Sequence, residues 1–351
     1  MTGPRGGPHP WLEAVAGAPH GGAAAACMLD LCASLAPHGP SPAALAAARG
    51  ADPTRYPSPD AAPLVEAAAE LLGVDPERVV AGPGAAELLL RTALAHLRPG
   101  DTALVVGPCF GEYRRAAAAC GARTVAWEAG PADGFALDPG AVAAAARRAG
   151  AALGILARPQ NPTGVLSPAA AVAGLAAATP GMTWVVDEAF IGLCDDPRST
   201  AGGEVVTVRS LTKELALAGL RVGVADAPPP GARALRALAP PWCDSAPAIA
   251  AAVAGLADRG HRAATLAAVR RGRAALTATL RALRLQVAAA AANYVCAEAG
   301  DAPGFCAGLA ASGVVARDCA DLGLPGWVRL AVPPPAELER LLAALGAAVR
   351  R

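Results

Sequence analysis

The sequence predicts an α/β protein in which a mostly parallel β-sheet is followed by a smaller α+β region. Between residues 79 and 225, short apolar runs recur, mostly with Ala-, Leu- and Arg-rich helical stretches between them. Continuous apolar runs that alternate with helices are typical of parallel strands buried on both faces of a sheet. After the segment 227–231 (Ala-Pro-Pro-Pro-Gly) the pattern changes, which indicates a linking region and a separate second unit.

The individual elements follow from the same patterns, in chain order. In the first region we expect strands at 79–81, 102–106, 123–127, 152–156, 183–186, 205–208 and 221–225. In the second region we expect long helices at 246–256 and 259–284, strands at 285–288 and 294–297, a helix at 304–311, strands at 314–316 and 328–331, and a terminal helix at 335–349.

Polar motifs follow four of the predicted strands. They are Gly-Pro-Cys-Phe at 107–110, Arg-Pro-Gln-Asn-Pro-Thr-Gly at 158–164, Asp-Glu-Ala-Phe at 187–190 and Ser-Leu-Thr-Lys at 210–213. Open α/β sheets bind their ligands at the carboxyl ends of the strands. The sequence therefore predicts one site at that edge of the sheet, built from all four motifs.

Lys213 is the only lysine of the chain, against 29 arginines. A compositional bias towards arginine replaces lysine wherever only a positive charge is needed. A lysine amine can be deprotonated and can form a Schiff base, and an arginine guanidinium can do neither. We interpret Lys213 as a reactive amine; the alternative is a surface lysine that survived by chance.

Pyridoxal phosphate is the cofactor whose requirements these motifs meet. It needs a lysine amine, an anion for its pyridinium nitrogen, a phosphate cradle and an aromatic ring over its own ring. Asp187, just after an apolar run, is the candidate anion, with a helix cap as the alternative. Free amides at 82–87 (Gly-Pro-Gly-Ala-Ala-Glu) can hold a phosphate where a helix begins. Ser210, Thr212 and Arg221 complete this cradle, and Phe110 is either the aromatic cover or a core residue.

Composition excludes several other classes of function. The net charge of +1 leaves no basic stripe for nucleic acid, and no apolar segment reaches the roughly 20 residues of a membrane span. The nine cysteines form no CxxC pair and the five histidines are scattered, so we expect no metal site. Without an apolar signal segment at the start, we expect a cytoplasmic protein with reduced thiols.

The chain resembles the fold-type I, class I/II aminotransferase family of pyridoxal-5'-phosphate enzymes. The matching motifs are Asn-Pro-Thr-Gly at 161–164, Asp-Glu-Ala-Phe at 187–190, Ser-Leu-Thr-Lys at 210–213 and Gly-Leu-Arg at 219–221, in the order of the family. The resemblance implies a seven-stranded, mostly parallel sheet. It also implies an N-terminal arm at 1–40, a large cofactor-binding domain at 41–232 and a linking helix with a small domain at 233–351.

The resemblance also implies a role for each matching residue. Lys213 would form the Schiff base, Asp187 would pair with the ring nitrogen and Asn161 would bond the ring hydroxyl. The remaining cofactor contacts would come from phosphate-binding and ring-stacking residues: Ala85, Ala86, Phe110, Ser210, Thr212 and Arg221.

Within the family, the chain looks most similar to threonine-phosphate decarboxylases, with histidinol-phosphate aminotransferases next. The features are His-Gly-Gly at 20–22, Arg-Tyr-Pro-Ser-Pro-Asp at 55–60, Phe-Gly-Glu-Tyr at 110–113 and Arg-Asp-Cys at 317–319. By this resemblance Tyr56 would reach the cofactor phosphate of a second subunit in a homodimer with shared active sites. The substrate would contact His20, Gly21, Gly22, Arg317 and Arg329.

The substrate side departs from this branch more than the cofactor side does. Asparagines are common where this chain has Ala23, Ser34, Ala36 and Pro83, and an additional arginine is common at Pro333. We therefore expect a decarboxylase or aminotransferase acting on a small amino acid with a second anion. The alternative is a specialised enzyme of β- or γ-elimination or replacement. A cofactor-binding regulator is a third possibility, although we expect no DNA-binding region before residue 20.

Overall fold

The computed structural model describes residues 7–17, 19, 21–22, 24–25 and 27–348. The predicted substrate contact His20 and the departure at Ala23 therefore lie outside the described residues. Within the part of the chain that the structure describes, no helix combines the length and the apolar composition needed to cross a lipid bilayer.

Strands and α-helices alternate between residues 79 and 187 and follow a mixed order elsewhere in the described chain. The strands are β1 (Leu29–Asp30), β2 (Val79–Gly82), β3 (Thr102–Gly107), β4 (Arg123–Glu128), β5 (Leu153–Ala157), β6 (Thr183–Asp187), β7 (Val206–Arg209), β8 (Gly223–Asp226), β9 (Gln286–Val287), β10 (Tyr294–Glu298), β11 (Val314–Val315), β12 (Arg317–Asp318) and β13 (Trp327–Ala331). The helices are α1 (Pro42–Gly50), α2 (Ala62–Leu72), α3 (Ala85–His96), α4 (Glu112–Ala119), α5 (Pro139–Ala149), α6 (Ala169–Ala178), α7 (Leu211–Glu214), α8 (Pro229–Leu238), α9 (Ala246–Ala257), α10 (Arg259–Ala282), α11 (Ala302–Ala310) and α12 (Leu338–Ala348).

A seven-stranded sheet forms the larger unit, in the order β2-β8-β7-β6-β5-β3-β4. The neighbours from β7 to β4 all pair in parallel, whereas β8 is antiparallel to both β7 and β2. The prediction of a mostly parallel sheet is confirmed. Because β3, β5, β6 and β7 run in the same direction, the polar motifs that follow them meet at one edge.

Alternating side chains of the inner strands fill cores on both faces of this sheet. In β3, Val105 packs in a core with α3, α4 and α8, whereas Leu104 and Val106 pack on the opposite face with α5 and α6. This agrees with the prediction of strands buried on both faces. The edge strand β4 differs, because most of its residues are exposed. The apolar run of β4 looks like that of an inner strand in the sequence, but β4 has a neighbouring strand on one side only.

The proline-rich segment after residue 227 is helical, which corrects the prediction that the pattern of the large unit ends there. Helix α8 begins at Pro229 and packs with α3 against the large sheet. Backbone amides in the first turn of a helix have no acceptor within the helix. Proline, which has no amide hydrogen, is therefore well tolerated there. Helix α9 packs in turn against α1 and α2.

A second unit is built on a four-stranded antiparallel sheet, in the order β12-β13-β10-β9. Its core also takes in α10, α11 and α12. The short strand β1 pairs in parallel with β11, so the chain near residue 30 joins this unit. The division into 1–40, 41–232 and 233–351 stays a prediction.

Candidate active site

A cavity of about 290 Å³ lies at the carboxyl ends of the parallel strands. Most of the predicted site residues line it, together with Pro19, Cys32 and Ala33. They are Gly21, Ala85, Ala86, Phe110, Asn161, Asp187, Ser210, Thr212, Lys213, Arg221, Arg317 and Arg329. Of the other predicted contacts, Gly22 and Tyr56 are described but are not among the lining residues. The four strand-end motifs therefore meet at one place, as the sequence predicts.

Lys213 lies on α7, the short helix that follows β7, and its amine points into the cavity. Lys213 Nζ donates a hydrogen bond of 2.7 Å to the carbonyl of Ala33 and lies 5.9 Å from the ring centre of Phe190. Burial, followed by the charges of Arg329 and Arg221, lowers the pKa of Lys213 to about 8. The amine is therefore far easier to deprotonate than a surface lysine, as a nucleophile requires.

Asp187 ends β6 and is buried at the floor of the cavity. Its Oδ2 accepts a hydrogen bond of 2.6 Å from the hydroxyl of Tyr113, and its Oδ1 accepts the amide of Ala189 at 2.9 Å. Burial raises the pKa of Asp187, while these two hydrogen bonds and the charge of Lys213 act in the opposite direction. A buried carboxylate held by neutral donors is suited to pair with a cation placed in the cavity.

The amino end of α3 and the loop before it form an anion cradle. Gly84 has a φ of +98°, and a Cβ there would lie 2.6 Å from Nη2 of Arg221. Only glycine therefore allows the guanidinium to approach this turn. The hydroxyls of Ser210 and Thr212 lie 2.6 Å apart on the same wall of the cavity. Two hydroxyls, a guanidinium and the first amides of a 12-residue helix fit a phosphate group.

Arg329 and Asn161 form a second polar contact on the side of the cavity nearest the second unit. Arg329 Nη1 donates to Oδ1 of Asn161, and Nη2 donates to the carbonyl of Cys32 at 2.6 Å. Its guanidinium also lies 5.2 Å from the ring centre of Tyr294. Because Oδ1 of Asn161 accepts from Arg329, its amide nitrogen is left to donate elsewhere. This geometry leaves Asn161 free to bond a cofactor oxygen while it orients the arginine.

The loop that carries the substrate-side departures contacts the lysine backbone. Ser34 has a φ of +50°, a conformation that asparagine adopts more readily than serine. The amide of Ala36 donates to the carbonyl of Lys213 at 3.0 Å, so this contact needs no side chain at residue 36. The change at Ala36 therefore preserves the support of α7 while it removes a polar group.

Sequence reasoning missed the contact between Tyr113 and Asp187. Tyr113 stands in the Phe-Gly-Glu-Tyr motif at 110–113, but nothing in the spacing shows that its hydroxyl reaches residue 187. The carbonyl of Ala33 and the ring of Phe190, both beside Lys213, were also missed as site groups. Every residue has a backbone carbonyl, so the sequence cannot show that the carbonyl of Ala33 contacts Lys213; only the structure does.

The chain resembles known proteins over most of its length. Residues 27–345 match the family described as aminotransferase class I and II. Histidinol-phosphate aminotransferase of Symbiobacterium thermophilum is 35% identical, over 89% of this chain and 88% of that protein. The corresponding enzyme of Rhodospirillum centenum is 32% identical over 99% of each chain.

Two solved structures share the fold over most of this chain. Histidinol-phosphate aminotransferase of Sinorhizobium meliloti, in complex with pyridoxal-5'-phosphate, has a TM-score of 0.81 at 25% identity and covers 91% of this chain and 89% of its own. Aspartate aminotransferase of Thermus thermophilus, with maleate, has a TM-score of 0.78 at 26% identity, with 92% and 91% covered.

Proposed function

Because this chain belongs to the aminotransferase class I and II family and is a pyridoxal-phosphate-dependent enzyme, we propose that it acts on a small amino acid with a second anionic group. The observation that carries this proposal is the convergence of Lys213, Asp187 and Arg329 on one cavity. The cavity offers an amine to react, a buried carboxylate and a guanidinium for a carboxylate. We favour transfer of the amino group, and threonine-phosphate decarboxylase-like chemistry is the second form of the proposal.

The residues around the cavity fit the cofactor, which supplies an aldehyde and an electron-withdrawing ring. We propose that the first amides of α3, at Ala85 and Ala86, bind its phosphate together with Ser210, Thr212 and Arg221. Asn161 would donate to the ring hydroxyl oxygen and Phe110 would cover the ring, since both line the cavity. Support comes from Gly84, whose missing side chain leaves the approach to Arg221 open.

Lys213 and Asp187 act on opposite ends of the bound cofactor in this proposal. Asp187 keeps the ring nitrogen protonated because a buried carboxylate is stabilised by a cation beside it. Lys213 would hold the cofactor through its aldehyde, and the same amine would take the proton from the substrate α-carbon. Burial lowers the pKa of this amine to about 8, so a larger share of it is free base near neutral pH than for an ordinary lysine.

We propose that Arg329 binds the substrate α-carboxylate and that Arg317 binds a second anionic group. Arginine suits both tasks because its planar fork matches the two oxygens of a carboxylate. Arg329 is buried, and its Nε has no hydrogen-bond partner among the described residues. An incoming carboxylate would supply the acceptor that this nitrogen lacks.

An assay with purified holoenzyme tests the substrate class and the type of reaction together. The protein is incubated with L-threonine O-phosphate, histidinol phosphate, L-aspartate or L-glutamate, with and without 2-oxoglutarate. Amino-group transfer yields an oxo product only when the acceptor is present, whereas decarboxylation releases CO2 without it. Release of ammonia from the substrate would instead favour the elimination alternative.

The variant Arg329→Ala should lower kcat/KM for the active amino acid by about 30-fold or more. Loss of one partner of a buried charge pair typically costs about 2 kcal/mol or more. The exposed Arg259→Ala variant is the control and should leave kcat/KM unchanged, because Arg259 pairs with the exposed Glu70 and does not line the cavity. Equal rates for Arg329→Ala and wild type would contradict the proposed carboxylate site.

We also propose a homodimer in which Tyr56 completes the site of the other subunit. Tyr56 is 81% exposed and packs against Trp242, which is 46% exposed, with 4.9 Å between the ring centres. The amide of Trp242 donates to the carbonyl of Pro59, which holds the two loops together. A pair of large aromatic side chains at the surface is a common feature of subunit interfaces.

Mixing two inactive variants should restore activity if the sites are shared. Lys213→Ala and Tyr56→Ala subunits are each expected to be inactive or severely impaired, whereas one site of a heterodimer receives both wild-type residues. Tyr56→Phe alone should weaken cofactor binding by about 1.5–3 kcal/mol, the contribution of a hydrogen bond to a charged group. Light scattering that shows a monomer, or verified heterodimers without activity, would place Tyr56 outside the partner's site.

A further inference from the structure

Two of the arginines that line the cavity lie directly opposite each other in the small sheet. Arg317 on β12 and Arg329 on β13 are paired residues of adjacent antiparallel strands. Opposed residues of this kind have Cβ atoms about 5 Å apart, and like charges in such positions destabilise the pair. Both side chains also line the cavity. The substrate therefore meets two closely spaced guanidinium groups. The neighbours of each guanidinium determine how much of its positive charge can attract a substrate anion.

The surroundings of the two guanidinium groups differ in charge. Arg329 donates to two neutral acceptors, Asn161 and the carbonyl of Cys32. Arg317 instead donates to Oδ2 of Asp321 at 2.5 Å and to the carbonyl of Pro19 at 3.3 Å. No ion pair joins Arg329 to an acidic residue among those the structure describes. One arginine therefore keeps its full charge, while the other is neutralised by a carboxylate four residues along the chain.

Asp321 lies close enough to Arg317 that its carboxylate would repel an anion bound there. It lies in the 3-10 helix Ala320–Leu322, and Leu322 at the end of that helix lines the cavity. The carbonyl of Leu322 accepts the amide of Cys109, which ties this helix to the loop that carries Phe110. The side chains of Arg317 and Asp321 are only 14% and 28% exposed, so water screens their interaction incompletely.

Building on the second-anion role of Arg317 proposed above, we propose that Asp321 is a specificity-determining residue that selects a singly charged group over a phosphate. An anion that binds Arg317 must displace the carboxylate of Asp321 or share the guanidinium with it. The repulsion grows with the charge of the incoming group, and a phosphate monoester carries about −1.5 to −2 at pH 7. A substrate with a second carboxylate therefore suits this site better than a phosphorylated one.

The expected size of the preference follows from Coulomb's law. One additional unit of charge about 6 Å from Asp321, at an effective dielectric constant of about 40–80, changes a binding constant about 3- to 10-fold. Asp321→Asn removes this repulsion and keeps the size of the side chain. It should strengthen the binding of a phosphorylated amino acid about 3- to 10-fold more than the binding of a dicarboxylic one.

The matched control is Asp318→Asn, which removes one negative charge from the same segment. Successive residues of a strand point to opposite faces of the sheet, so Asp318 faces away from the side chain of Arg317. Its Oδ1 accepts the amide of Ala320, and an asparagine oxygen can keep this hydrogen bond. This variant should change the binding of both probe amino acids by the same small factor.

The experiment titrates holoenzyme with O-phospho-L-serine and with L-glutamate, and follows the cofactor absorbance band. Wild type should prefer L-glutamate, and the ratio of the two dissociation constants should move towards O-phospho-L-serine in Asp321→Asn but not in Asp318→Asn. An unchanged ratio in Asp321→Asn would overturn the proposal. Arg317→Ala provides the separate test of the second-anion site: if it weakens neither probe, the proposed role of Arg317 fails, whatever Asp321 does.

A second measurement does not depend on either amino acid. Asp321 forms the one ion pair that these two opposed arginines make among the described residues, so Asp321→Asn holoenzyme should melt at a lower temperature than wild type. Added inorganic phosphate should raise its Tm more than it raises the Tm of wild type, with saturating cofactor in every sample. If phosphate raises both values equally, Asp321 does not control access of anions to Arg317, and the proposal is wrong.

Discussion

Lys213→Ala is expected to abolish turnover, with activity at least about a thousandfold below wild type. The chain has no second lysine that could take over the amine. A nearby arginine such as Arg221 cannot replace it, because a guanidinium is not deprotonated in proteins and forms no Schiff base. The rate is measured with the amino acid identified in the substrate assay, at saturating cofactor.

Lys213→Arg is the matched variant for this prediction. It keeps a positive charge near Ala33 and Phe190 but removes the primary amine, so it should be as inactive as Lys213→Ala. Circular dichroism and the melting temperature of both variants should stay close to wild type, since Lys213 makes one hydrogen bond to a carbonyl. Substantial turnover in either variant would contradict the role of the amine.

Asp187→Asn is expected to lower turnover by several orders of magnitude while the protein stays folded. The asparagine oxygen can still accept the amide of Ala189, and the asparagine NH2 group can donate to the hydroxyl oxygen of Tyr113, so both partners of the carboxylate stay bonded. An amide cannot stabilise a protonated ring nitrogen, so the ring withdraws electrons less strongly when the substrate loses its proton. Were Asp187 only a structural cap, the loss would be about 1 kcal/mol of stability or less, with turnover almost unchanged.

Tyr113→Phe separates the charge of Asp187 from its hydrogen bond. The Tyr113 hydroxyl lowers the pKa of Asp187, in opposition to burial, which raises it. Without the hydroxyl, the carboxylate takes up a proton at a higher pH, so the acid limb of the kcat/KM profile should move upwards. Activity well above that limb should fall far less than in Asp187→Asn. An unshifted acid limb would show that this hydrogen bond does not control Asp187.

The fold was predictable because its signals are local and repeated. Apolar runs such as the one at residues 102–106 identify inner strands, whereas the same signal at β4 could not reveal an exposed edge. The start of α8 was missed because consecutive prolines are typical of linkers, although proline is also favoured in the first turn of a helix.

The site was predictable where a side chain carries the chemistry. Lys213, Asp187 and Asn161 stand in motifs at strand ends, and the parallel order of the strands brings those ends together. The partners of these side chains were not predictable. Tyr113 is 74 residues from Asp187 in the chain, so no local pattern links the two. Asp321 reaches Arg317 because a 3-10 helix of three residues positions it, and so short a helix has no periodic sequence pattern.

Borohydride reduction followed by peptide mass spectrometry tests the central claim most directly. Sodium borohydride reduces the bond between a lysine amine and the cofactor aldehyde, so the cofactor becomes permanently attached to its residue. For holoenzyme we predict one stoichiometric adduct, on the peptide that contains Lys213, and none on that peptide in Lys213→Ala. A holoenzyme that retains its cofactor but gives no adduct at Lys213, or an equal adduct at another residue, would contradict the account.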